Sequence, residues 1–145
     1  MTWALALAAA AWGMGKAPPP AQEAAPMAAH VQEWKGQFCG VAGEKAVLVT
    51  DAAGWAALWK EAFGREAPDA DFAAHVAVAA FAGSKNTGGY VVEFQDPETS
   101  GGGHVLRWRV KSPGKGGFVI QAFTQPYAVR LYPKPAGPVT LERAR

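Results

Sequence analysis

Residues 76–81 read Val-Ala-Val-Ala-Ala-Phe, and the chain continues through Ala82-Gly83-Ser84-Lys85-Asn86-Thr87-Gly88-Gly89-Tyr90 into Val91-Val92-Glu93-Phe94. Both alternating sets of positions in 76–81 are apolar, which is the pattern of a central strand covered on both sides. The runs that follow alternate instead. Tyr90, Val92 and Phe94 oppose Val91, Glu93 and Gln95; Leu106, Trp108 and Val110 oppose Arg107, Arg109 and Lys111; Tyr127, Val129 and Leu131 oppose Ala128, Arg130 and Tyr132. Each of these predicts one core face and one wet face. Ser100-Gly101-Gly102-Gly103 and Ser112-Pro113-Gly114-Lys115-Gly116-Gly117 have turn chemistry, and such short connections are expected to join antiparallel neighbours. Further strands are expected over Phe118–Phe123 and Val139–Leu141. Upstream, Lys45–Thr50 reads as a strand pairing with Gln37–Val41 across Ala42-Gly43-Glu44. After Asp51, an N-cap candidate, Trp55, Leu58, Trp59, Ala62 and Phe63 fall on one helical face, and Gly64 supplies the stop. Aromatics at this spacing predict packing into a core rather than a platform for stacking a ligand. The sum is about eight strands and one helix. The fold class is α+β: a curved, mostly antiparallel sheet with one amphipathic helix packed on it.

With 145 residues, 50 % of them hydrophobic, there is room for one globular domain. Fourteen basic against twelve acidic residues give +2, too even a balance to imply nucleic acid as a partner. Cys39 is the sole cysteine, which excludes an intrachain disulfide and a cysteine-based metal cluster. His30, His75 and His104 lack metal-ligand spacing, so no metal or cofactor is expected. Residues 1–16 contain an unbroken apolar run, Trp3–Trp12, too short to span a bilayer but suited to the apolar region of a secretory signal. Residues 17–33 are Pro/Ala-rich and read as a linker. The folded domain is placed at 34–143, with export to the periplasm, cell surface or medium as the expected location and no transmembrane span.

Several chemical motifs fall away on inspection. Gly83 and Gly88 satisfy G-x-x-x-x-G, but Gly89-Tyr90 stands where a phosphate loop needs Lys and Ser or Thr. Asp69 and Asp71 suit Asx turns before a strand as well as paired carboxylates. Cys39 with His104 is the pair an enzyme reading would use, although Cys39 sits in an apolar stretch where a thiol is inert packing. Arg107, Arg109 and Lys111 form a basic stripe, a second candidate surface for a small or polymeric anion; a solvated sheet face with Glu93 opposite is the favoured reading. The remaining constellation is Lys85-Asn86-Thr87-Gly88-Gly89-Tyr90. Two glycines able to adopt φ > 0 leave backbone N–H groups open to a partner, with Lys85 and Thr87 as added donors. A tight turn is the alternative reading.

The order of motifs now matters: Trp55-x-x-Leu58-Trp59 on a helix, Pro68-x-x-Asp71-Phe72, a strand ending Phe81-Ala82-Gly83, Thr87-Gly88-Gly89-Tyr90, Ser112-Pro113, and Gln125-Pro126-Tyr127. This series, from Trp34 to Leu141, resembles the PrcB C-terminal domain family, whose recurring signature is the Gly-Gly-Tyr loop. The resemblance implies an exported, non-catalytic domain, and the leading reading is one that acts by binding, with an accessory role in an envelope protease or other protein assembly. The binding role given to residues 85–90 rests on the residues themselves, two glycines beside a cation, a hydroxyl and an aromatic. A lipidation cysteine like that of the founding lipoprotein subunit is missing from the approach to Cys39, so lipid anchoring is not carried over.

Overall fold

The computed structural model describes residues 25–145. The signal-like segment and the first part of the linker lie outside the described residues. The elements, in chain order, are β1 (Gln32–Gly36), β2 (Lys45–Val49), α1 (Ala52–Phe63), β3 (His75–Phe81), β4 (Val91–Phe94), β5 (Glu98–Ser100), β6 (Gly103–Lys111), β7 (Tyr127–Pro133) and β8 (Val139–Arg143). The α+β class holds, with the eight strands divided between two sheets. The first sheet runs β1-β7-β3-β2, entirely antiparallel. In the second, β4 and β5 pair with β6 in succession, and β8 joins β6 in parallel.

Helix α1 lies on the outer face of the first sheet. Asp51 caps its N-terminus by accepting from the Gly54 N–H at 2.7 Å, and Gly64, at φ +66°, ends it with an N–H donated to the Lys60 carbonyl. Trp55, Leu58, Trp59 and Ala62 point down onto Ala77, Ala79 and Phe81 of β3 and Val129 and Leu131 of β7. The opposite face of the same sheet, carrying Val76, Val78, Ala80, Ala128 and Tyr132, packs on Val92, Phe94, Leu106 and Trp108 of the second sheet. Helix, sheet and sheet thus make three layers with β3 in the middle one. That is why 76–81 has no polar face, and alanine at three of its positions lets both neighbouring layers approach the backbone.

Trp55 and Trp59 are buried in this core. Their rings lie 5.5 Å apart, and Trp34 from β1 stands 5.4 Å from Trp59. The Trp55 Nε1–H donates to the Pro68 carbonyl at 2.7 Å, whereas Trp59 Nε1 has no partner.

Three local expectations give way. Residues 37–41 do not pair with β2, whose strand partner is β3. They run past the end of α1 instead, where the Gly40 N–H donates to the Ala62 carbonyl. Residues 118–123 form no strand and expose Phe118, Ile120 and Phe123; the 112–126 connection carries the chain from one sheet to the other rather than to an antiparallel neighbour. The second face of β7 is not wet. Ala128 and Tyr132 are buried between the sheets, and Arg130 is held there by Glu33 at 2.7 Å, the Tyr132 hydroxyl at 3.0 Å and the Phe94 ring at 5.1 Å. The sequence set no partner for the last strand, which joins β6 in parallel.

Candidate functional site

The strand β3 runs out at Phe81, and residues 82–90 are zipped along the 118–126 segment. The Ala82 N–H donates to the Pro126 carbonyl, Lys85 and Thr124 exchange both backbone bonds at 2.8 and 2.9 Å, and the Gly88 N–H donates to the Ile120 carbonyl at 2.9 Å. Thr124, 1 % exposed, sends its hydroxyl to the Thr87 carbonyl at 2.8 Å. The Gln37 side chain donates to the Tyr90 carbonyl at 2.8 Å, closing the far end. Here the sequence reading is altered: the Gly88 N–H is satisfied within the chain rather than open to a partner.

The glycines serve this closeness. Only Gly89 of the Gly-Gly pair has positive φ, +92°, and a Cβ there would stand 2.8 Å from both Pro113 Cβ and Val119 Cγ1. At Gly88 a Cβ would meet Ile120 Cγ1 at 2.6 Å. The motifs Gly-Gly-Tyr, Ser112-Pro113 and Gln125-Pro126-Tyr127, scattered along the sequence, therefore meet in one latch between two loops. Proline suits 113 and 126 because each contributes something other than an N–H: ring atoms at Gly89, a carbonyl at Ala82.

The side chains left outward on this latch are few. Asn86 is exposed, Lys85 and Tyr90 are half-buried, and the Lys85 ammonium lies 5.3 Å from the centre of the Tyr90 ring. Thr87 turns its hydroxyl to the Gly88 carbonyl at 3.0 Å. On the neighbouring loop Phe118, Ile120 and Phe123 are exposed. Composition pointed to a strand at 118–123, and only the sheet crossover makes those apolar residues surface.

The other candidates separate. Arg107 is paired with Glu98 and Glu142, both at 3.0 Å, and Arg109 with Glu93 at 2.9 Å, which neutralises most of the stripe and leaves Lys111 at its end. The hydrogen bond from Arg109 is the main reason the Glu93 carboxyl is held below the usual carboxylate range. Cys39 packs on the helix side of the first sheet and His104 lies on β6 of the second sheet, so the structure does not bring them together. Burial pushes the Cys39 thiol up, and its Sγ donates to the Gln125 carbonyl at 3.4 Å. His104 is buried with Nδ1 at 3.2 Å from the Thr99 hydroxyl and Nε2 unpartnered. Asp71 makes the Asx turn, accepting from the Ala73 N–H at 2.9 Å. Among the described residues no cluster of metal-ligating side chains is found, and no helix is long and apolar enough to cross a membrane.

Fold and latch define a small three-layer α+β domain whose connecting loops, rather than a cleft, carry its distinguishing residues. Residues 76–130 match the family described as PrcB C-terminal, which bears out the resemblance read from the motifs. The matched span opens on β3, takes in the whole latch and closes in β7. No curated protein and no solved structure matches the chain.

Proposed function

We infer that the domain is an exported, non-catalytic accessory module that binds a protein, a component of an envelope protease assembly, through the outward side of residues 85–90. The observation that carries this reading is the latch. It fixes a cation over an aromatic ring beside an exposed amide, on a turn whose backbone is already bonded, so binding there loses little chain entropy. The family match supports association with a protease complex.

The test is a crosslinked pull-down from the native envelope, followed by an affinity measurement with the recovered partner. Lys85→Ala with Thr87→Val should leave the melting temperature nearly unchanged and weaken capture at least tenfold, about 1.4 kcal/mol. Unchanged capture by the double variant would remove the turn from the interface.

A further inference from the structure

The 112–126 loop has a composition that the latch does not explain. Phe118 is fully exposed, Phe123 is 76 % and Ile120 56 % exposed, all within six residues of chain. Large apolar side chains in such a short exposed stretch mark a contact surface. The backbone beneath them is held: Ile120 accepts from Gly88, Val119 and Pro113 sit on Gly89, and Thr124 is bridged to Lys85. The side chains are therefore presented, not collapsed.

Charge narrows the occupant. From Thr99 to Leu141 the sequence holds no Asp or Glu, while Lys111 and Lys115 both precede the apolar tip. Both lysines are exposed, and neither has an ion pair among the described residues. Glu93, whose field reaches Lys111, is already engaged by Arg109. A protruding phenylalanine among Gly114, Gly116 and Gly117 offers little shape for a packed protein interface. A fluid medium with an apolar interior and an anionic surface needs no such shape. Phenylalanine enters the headgroup boundary, and each lysine gains from the negative surface.

We propose that the 112–123 loop is a peripheral membrane-docking tip, inserting Phe118 and Phe123 at the boundary of an anionic lipid leaflet with Lys111 and Lys115 against the headgroups. This goes beyond the protein-binding reading and stands or falls separately from it.

The experiment is co-sedimentation of the full chain with vesicles of phosphatidylcholine alone or with phosphatidylglycerol added. Binding should require the anionic lipid and fall as salt rises. Phe118→Ser with Phe123→Ser should weaken it at least tenfold, and Lys111→Gln with Lys115→Gln about 25-fold, roughly fivefold per lysine. Thermal melts confirm that the variants are folded. Because all variants share the apolar N-terminal run, equal sedimentation of wild type and the Phe variant places any lipid affinity elsewhere and overturns the proposal. Failure of folded wild type to bind anionic vesicles does the same. So does a photocrosslinker at position 118 that yields protein adducts and no lipid adduct in cells. None of these outcomes bears on the Lys85/Thr87 capture assay.

Discussion

Gly89→Ala is the substitution that most directly weighs the latch. At φ +92° an L side chain is strained, at about 1–2 kcal/mol for a left-handed residue. The added methyl would also stand 2.8 Å from Pro113 Cβ, on a ring with little freedom to move, and 2.8 Å from Val119 Cγ1, an overpacking cost of about 1–3 kcal/mol. The sum is about 2–5 kcal/mol. A domain of this length loses about 3–5 °C of melting temperature per kcal/mol, so the expected drop is about 6–25 °C. Gly88→Ala is the internal control. Its φ is not positive, and the obstructing atom belongs to the Ile120 side chain, which is exposed and able to rotate, so the cost is expected at or below about 1 kcal/mol. Calorimetric melts of the two variants beside wild type decide the matter. If Gly89→Ala melts with wild type, or Gly88→Ala proves the worse of the two, the account of why two glycines stand here is wrong.

Trp59→Ala should destabilise by about 3–5 kcal/mol, since the ring fills the space between α1 and the first sheet and packs on Trp34, Trp55 and Phe63; an equilibrium denaturation curve within 1 kcal/mol of wild type would argue against that core. Cys39 should label slowly with a thiol reagent at neutral pH, and Cys39→Ala should cost little, because burial disfavours the thiolate; fast labelling would contradict the packing described. Glu93 has a folded pKa below its unfolded one, so its contribution is present above the ordinary carboxylate range and disappears as pH falls through the folded value. The stability gap between wild type and Glu93→Gln should therefore shrink between about pH 6 and pH 3, which denaturant titrations at each pH would show. If the chain is exported and processed, N-terminal sequencing of native protein will start near the prolines at 18–20, and recovery of intact Met1 in the cytosol would count against export.

Periodicity exposed the middle layer and the helix because burial was written there in residue type: the all-apolar faces of 76–81 and the tryptophans of α1. It failed where tertiary context set the outcome. Arg130 looked solvent-facing, yet it enters the space between the sheets with Glu33 as counter-ion and the Phe94 ring beneath it. Residues 118–123 had strand composition, but Ile120 is bonded to the glycine turn and Val119 packs on Gly89, which leaves Phe118, Ile120 and Phe123 exposed. Lys85–Tyr90 was identifiable as special from its glycines. That these glycines face the chain's own prolines and valine, and not a ligand, depends on a contact between segments about 30 residues apart that no local pattern records.

The middle sheet also sets an order on folding. β3 and β7 are neighbours along seven residue pairs, from His75–Pro133 to Phe81–Tyr127, yet β4, β5 and β6 of the second sheet lie between them in the chain, and β1 pairs with β7 roughly a hundred residues later. Loop closure on that scale precedes any gain from the pairing, so refolding should be slow for a chain of this size and limited by the docking of β7. On a growing polypeptide the first sheet has no centre until Leu131 is available, which leaves β2, α1 and β3 as a protease-sensitive fragment for most of synthesis. Protease resistance in chains truncated before Tyr127 would contradict that order.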